Sequence, residues 1–308
     1  MVYNNKEIKA MVQNILGKKA FLLPIGNHHL ERNLVYYVST EDGSAFVFKL
    51  FLKKNRWNRE VAALSLLTQS SVRCPKLIRF GKLSDDTEWL ITDFSNGYSL
   101  NMAYPVISEG NRIKIYEDLG RELGKIHSFT QFDFFGNWDE YGRSIDNYRD
   151  YKTYFTKHVE TIYKVLYNAD LPHKELIKKS ISRLSNSFSI IDKVSESLLC
   201  HNDYGERNAV VRKHGNDWRL EVVIDFEQCL PSDKDKDLVY ICSCLSVKND
   251  EYEKAFLRGY EEFLKLSSDY YLKKDFYLLY FGLYICSWAY KQAPEHYSEG
   301  LELLKRFS

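Results

Sequence analysis

A chain of 308 residues is too long for a typical single domain and suits two lobes of ordinary size. With 44% hydrophobic residues, and aromatics alone at 15%, it can bury a sizeable core. Lys plus Arg number 43 against 42 Asp plus Glu, and the resulting net charge of +1 argues against a polyanionic partner such as bulk nucleic acid, though not against a small phosphate-bearing ligand.

The chain opens with MVYNNKEIKAMVQNILGKKA, whose apolar runs are broken by Lys and Asn. That is neither a signal peptide nor a spanning helix, so a cytoplasmic protein without membrane association is expected. Ile8, Met11, Val12 and Ile15 recur at helical spacing and predict a helix over residues 3–17, stopped by Gly17. Two extended runs follow, residues 34–38 and 45–51, joined by the turn Glu41-Asp42-Gly43-Ser44, and together they read as a hairpin. The segment before the hairpin, IGNHHLERN, contains only Gly26, so no glycine-rich loop is present; His28 and His29 read as solvated loop residues or as phosphate contacts.

Lys49 lies inside the second run between Phe48 and Leu50, and taken alone it reads as a strand residue turned to solvent. Residues 58–67 change that reading. They predict a helix with Val61, Leu64 and Leu67 on its buried side, and Glu60 near its start can reach back to pair with Lys49. Residues 74–81 read as the entry to a strand and 88–93 as a strand, with Trp89, Leu90, Ile91 and Thr92 buried. The connector Phe94-Ser95-Asn96-Gly97-Tyr98-Ser99-Leu100 carries the turn residues of a boundary, dividing the chain into residues 1–95 and 96–308. Beyond it helices dominate, over residues 119–128, 148–166 and 176–194. The six cysteines, Cys74, Cys200, Cys229, Cys242, Cys244 and Cys286, form no C-x-x-C pair and read as free thiols, mostly buried.

Residues 201–227, HNDYGERNAVVRKHGNDWRLEVVIDFE, concentrate the chemistry. Asp203 stands five residues ahead of Asn208, and Asp225 ends the apolar run Val222-Val223-Ile224. Magnesium takes hard oxygen ligands, and Asn208 and Asp225 offer an amide oxygen and a carboxylate. Asp203 is left to face an attacking hydroxyl.

His201, Asp203 and Asn208 fit the H-x-D-x-x-x-x-N loop shared by protein kinases, aminoglycoside phosphotransferases and choline kinases, and Asp225 stands where the D-F-G aspartate would stand. Phe226 and Glu227 follow it, so I-D-F-E resembles the small-molecule kinases rather than the protein kinases. The 17 positions from Asn208 to Asp225 leave room for a strand, a turn and a second strand. Residues 119–128 are similar to the L-G-x-x-L-x-x-L-H helix of aminoglycoside phosphotransferases, with His127 read as structural, and Asp237 matches the aspartate that steadies the catalytic loop from below.

The resemblance implies an α+β, two-lobed, protein-kinase-like fold: a small N-terminal antiparallel sheet lobe with one main helix, and a larger, mostly helical C-terminal lobe. It also implies a small-molecule kinase, with ATP or GTP as phosphate donor and Mg2+ as cofactor. In that reading Lys49, fixed by Glu60, positions the phosphates, backbone groups near Asp93 and Phe94 hold adenine, Asn208 and Asp225 hold the metal, Asp203 takes the hydroxyl proton and His201 braces the loop. The expected acceptor is a small, cationic molecule, first an antibiotic of the aminoglycoside type and second choline or ethanolamine; a non-catalytic nucleotide-binding scaffold is the alternative of another class. No obligate protein partner is expected. Tyr277, Phe281, Tyr284 and Trp288 recur at four, three and four, and read as a core stripe or as an aromatic surface for a cationic acceptor.

Overall fold

The computed structural model describes all residues except 1, 2, 27, 29 and 30; His29, one of the two loop histidines, lies outside the described residues. In chain order its elements are α1 (Asn5–Leu16), β1 (Ala20–Ile25), β2 (Asn33–Thr40), β3 (Ala45–Phe51), α2 (Trp57–Leu67), β4 (Leu77–Lys82), β5 (Glu88–Asp93), β6 (Tyr98–Ser99), α3 (Leu100–Ala103) and α4 (Glu109–Ser128). There follow β7 (Gln131–Phe132), α5 (Tyr151–Asn168), α6 (Lys174–Ser185), β8 (Ser197–Cys200), β9 (Ala209–His214), β10 (Asp217–Val223) and β11 (Leu230–Ser232). The last four are α7 (Lys234–Lys248), α8 (Asp250–Tyr260), α9 (Tyr270–Gln292) and α10 (Pro294–Phe307). The class is α+β, as the resemblance implies.

The chain forms two compact units, neither continuous in sequence. The first comprises Met1–Ile107, Trp138–Arg143 and Glu206–Cys229; the second comprises Ser108–Asn137, Ser144–Gly205 and Leu230–Ser308. A single cut in the connector divides the chain by sequence, whereas these units follow contacts and return the β9–β10 hairpin to the first.

In the first unit an antiparallel sheet runs β1-β2-β3-β5-β4. The hairpin β2–β3 pairs Val35 with Lys49 and Tyr36 with Phe48, so the alternation of β2 sends Leu34, Tyr36 and Val38 to one face. There they join Phe48, Leu50 and Ile91, with Ile8 and Val12 of α1 closing the cluster. α1 is fixed at its start by a capping box, Asn4 accepting from Glu7 N–H while the Glu7 carboxylate accepts from Asn4 N–H, and at its end by Gly17 in the left-handed region. β1 was not expected from the sequence. The structure puts Pro24 on an edge strand, where a missing N–H is tolerated.

In the second unit, α4 and α8 cross at glycines: a Cβ on Gly120 would lie 1.8 Å from the Phe256 carbonyl oxygen, and one on Gly259 would lie 1.9 Å from that of Glu117. Only glycine admits this approach. A short sheet, β11-β8-β7, carries β8 into residues 201–203, and α7 begins directly after β11. The helices predicted over residues 148–166 and 176–194 are α5 and α6, the latter ending at Ser185 and followed by a single 3-10 turn, Phe188–Ile191.

Candidate active site

The first unit draws three of the predicted residues into one knot. Lys49, on β3, is 6% exposed. Its ammonium lies 2.7 Å from the Glu60 carboxylate on α2, 2.7 Å from Asp225 and 2.8 Å from Glu227. Burial works against the charged amine, but Asp225, Glu60 and Glu227 outweigh it and hold Lys49 well above the usual lysine range. Burial likewise lifts the Glu60 carboxyl, against the opposing pull of Lys49, to about 7.

Asp225 stands at the exit of β10 in the left-handed region, φ +67° and ψ +64°. For a residue with a Cβ that conformation costs about 1–2 kcal/mol, and here it turns the carboxylate back onto Lys49. Its side chain remains 34% exposed, so the knot has an open side. Asn208 ends a 3-10 turn immediately before β9, and its carbonyl accepts from the Ile224 N–H at 2.8 Å. This hydrogen bond, at the root of the β9–β10 hairpin, sets Asn208 beside the residue that precedes Asp225.

Glu227 was not read as a site residue from the sequence. Besides Lys49 it binds Arg56, at the entry to α2, and Asn33, at the start of β2. The signal was present as the glutamate two residues after Asp225, but its partners lie 171 to 194 positions away, beyond local spacing. Asp93 and Phe94 lie at the end of β5. Asp93 N–H binds the Lys76 carbonyl at 3.1 Å and Phe94 N–H the Ala45 carbonyl at 3.3 Å, so both donors are already used within the unit. His28 Nε2 accepts from the Val35 N–H at 3.0 Å and so ties its loop to β2.

The oxygens of Glu60, Asp225 and Glu227 lie within 4.8 Å of one another, hard donors suited to a divalent cation. Three carboxylates around one lysine leave a negative excess that Arg56, bound to Glu227, only partly offsets. Glu60 and Glu227 are buried on Lys49, so of the three it is Asp225, with its open side, that fits magnesium.

The second unit holds the other two predicted residues. His201 is fully buried, and its Nδ1 accepts from the Asp203 N–H at 3.3 Å. Asn202 between them is left-handed, φ +61°. One buried carboxylate secures this turn: Asp237 accepts from the His201 N–H at 2.6 Å and the Asn202 N–H at 2.7 Å. His127 Nε2 lies 3.3 Å from the same carboxylate and His127 Nδ1 lies 3.0 Å from the Tyr260 hydroxyl. Burial opposes ionisation of Asp237, but its bond to His127 together with the electrostatic pull of His127, His201 and Lys236 outweighs it and sets the carboxyl below the usual range. His127 is thus a structural residue, and Asp203 is presented by a strained turn held from beneath.

The predicted residues thus fall into two clusters, one within each unit, and the sheet, main helix and helical remainder are those of protein-kinase-like phosphotransferases. The profile of the phosphotransferase enzyme family matches residues 27–271, and the chain belongs to that family. Among solved structures it is similar to the aminoglycoside phosphotransferase APH(4)-Ia, with a TM-score of 0.75 at 11% identity over 99% of this chain and 98% of that one. It is also similar to APH(2")-IIa, solved with gentamicin, with a TM-score of 0.66 at 18% identity over 100% of this chain and 98% of that one. A third similar structure is a candidate fructosamine-3-kinase from Thermobifida fusca, with a TM-score of 0.68 at 14% identity over 98% of each chain. At these identities the likeness is one of fold. No curated protein sequence matches the chain.

Proposed function

We propose that the chain transfers the γ-phosphoryl group of ATP, or of GTP, to a hydroxyl of a small molecule. The observation that carries this reading is the Lys49 knot: a buried ammonium held by Glu60 and by the strained, half-open Asp225. Lys49 contacts the α- and β-phosphates, and Glu60 keeps its Nζ in place. Asn208 and Asp225 would hold Mg2+, with Glu227 fixing Lys49 and Arg56 around them; when bound, the metal neutralises phosphate charge. Because the Asp93 and Phe94 N–H groups are engaged, adenine takes carbonyls there and N–H groups from the connector that follows. A protein confined to the cytoplasm agrees with this use of nucleotide; no helix among the described residues is long and apolar enough to cross a membrane.

At the acceptor, Asp203 orients the hydroxyl and takes its proton. The acceptor oxygen forms a bond to the γ-phosphorus as the bond to the β,γ-bridging oxygen breaks, and the nucleoside diphosphate leaves. His201 braces the loop by accepting from Asp203 N–H. APH(4)-Ia has been solved with AMP-PNP and hygromycin B, which supports a nucleotide and a small acceptor for this chain too. An aminoglycoside is the first acceptor that the family suggests, and choline-type and fructosamine-type acceptors follow. The test is a coupled nucleotide-consumption assay with ATP and GTP against aminoglycosides, macrolides, choline and simple sugars, with Asp203→Ala as control. Turnover on one acceptor that is lost in the variant supports the reading; equal turnover in the variant contradicts the role of Asp203. Magnesium-dependent nucleotide binding with silence on every acceptor would favour a non-catalytic scaffold.

A further inference from the structure

The five-stranded sheet of the first unit has two edges, and they are closed to different degrees. β1, at one edge, carries Pro24, whose missing N–H interrupts any further ladder. β4, at the other, carries no proline, and no strand lies beyond it among the described residues. Alternate residues of such an edge point their N–H and C=O groups away from the sheet. The pairing of β4 with β5 slips between Leu77 and Arg79; at this bulge Ile78 is 45% exposed, and Phe80 beyond it is 39% exposed.

An open groove of about 500 Å³ follows this edge. Ser65, Thr68 and Gln69 line it from the last turn of α2 and the residues after it, and Ile78, Phe80 and Trp89 line it from the sheet. Its apolar side is held in place. Phe80 packs on Trp57 of α2 with ring centroids 5.9 Å apart, and the Trp57 indole donates to the Trp89 carbonyl at 2.9 Å. The Trp89 indole lies against Gly81, where a Cβ would come within 2.9 Å of the ring. A ligand therefore meets a preformed apolar surface with exposed hydroxyl and amide groups opposite, on Ser65, Thr68 and Gln69.

The edge carries charge of one sign. Lys76 precedes β4, Arg79 stands in its middle and Lys82 ends it, and no carboxylate lines the groove. Lys82 meets Glu88 at 3.3 Å, whereas Arg79 donates to the Ile15 carbonyl and has no carboxylate partner among the described residues. Two copies of this chain pairing along β4 would set these cations against one another, so the edge deters self-association. A strand bearing carboxylates would meet opposite charge and pair its backbone with that of β4, while its alternate side chains enter the apolar groove. We propose that the β4 edge is a docking site for an extended segment of a partner protein, acidic and with aromatic or large aliphatic side chains at alternate positions. The segment adds a strand to the sheet, seats its apolar side chains beside Phe80 and Trp89, and places its carboxylates on Arg79. The proposal goes beyond the phosphotransfer reading and does not rest on it.

Isothermal titration of the full chain, without nucleotide, is made with the blocked peptide acetyl-Glu-Phe-Glu-Val-Glu-Phe-amide and with its counterpart bearing Lys in place of Glu. The acidic peptide is expected to bind at least about tenfold more tightly than the basic one, and to slow amide hydrogen exchange in β4. Methylating its backbone nitrogens is expected to remove binding, which a merely electrostatic contact would survive. Arg79→Glu is expected to erase the preference for the acidic peptide, and Phe80→Ala to weaken that peptide about tenfold. Equal affinities for the two peptides, a preference unchanged by Arg79→Glu, binding retained after methylation, or no binding at millimolar concentration overturns the proposal. So does a dimer of the unaltered chain with β4 amides protected before peptide is added, which would make a second copy the occupant. Should Phe80→Ala not fold, the exposed Arg79→Glu variant and the methylated peptide decide.

Discussion

Each unit of the molecule buries a lysine among three carboxylates, and the two knots differ in what they leave open. Lys49 meets Glu60, Asp225 and Glu227; Lys273, 3% exposed on α9, meets Asp235 at 2.8 Å and Asp233 and Asp269 at 3.3 Å. In the second knot Asp233 also accepts from the Tyr277 hydroxyl, and Asp235 is wholly buried in the first turn of α7. In the first, Asp225 is a third exposed and held in a left-handed conformation. Burial raises a carboxyl in both, Glu60 in one and Asp233 in the other, so electrostatics alone does not tell them apart. Solvent access and backbone strain do, and on them rests the proposal that the Lys49 knot is the nucleotide site.

The largest expected effect falls on neither lysine. If Asp203 is the base, Asp203→Ala lowers turnover by about 10² to 10⁴-fold, while the melting temperature and nucleotide affinity stay near those of the unaltered chain. Next comes the comparison itself. Lys273→Met leaves two buried carboxylates without their counter-charge and is expected to cost about 3–5 kcal/mol in urea unfolding, with nucleotide affinity retained by the folded fraction. Lys49→Met is expected to abolish nucleotide binding. Equal nucleotide affinity in the two variants would erase the distinction drawn between the knots.

A smaller effect sharpens it. Glu227→Gln loosens Lys49, Arg56 and Asn33 together and is expected to weaken magnesium–nucleotide binding by about 10–100-fold, measured by titration at fixed magnesium. The smallest effects are in pH. Asp237 has a depressed carboxyl, so its contribution is present above the ordinary value of 3.8 and is lost as pH falls through its lower folded value. Hydrogen exchange at the His201 and Asn202 amides is expected to stay slow at pH 5 and 4 and to accelerate only below 3.8. Glu60 has the opposite sign: raised from 4.5 to about 7, it contributes stability that is full below 4.5 and is lost as pH rises through about 7.

The order of the motifs made the candidate site legible. Lys49, Glu60, Asp203, Asn208 and Asp225 could be picked out because chemistry restricts their residue types and the fold restricts their sequence order. The Lys273 knot had no such signature. In Asp233 through Asp237, DKDKD, the sequence pointed only to Asp237, yet all five side chains are buried, because the first turn of α7 packs on α9 and beneath the His201–Asn202 turn. Glu227 escaped for a related reason, its partners Asn33, Lys49 and Arg56 being remote in sequence. The α9 aromatics were found at the right spacing, but spacing cannot say which turns of a helix are covered; the structure buries Tyr277 and leaves Tyr284 partly open.

The most direct test is the dissociation constant of magnesium–ATP measured in parallel on the unaltered chain, Lys49→Met and Lys273→Met. Loss of binding in Lys49→Met with binding preserved in folded Lys273→Met is the predicted result. Unaltered binding in a folded Lys49→Met protein would contradict the assignment of the Lys49 knot as the nucleotide site.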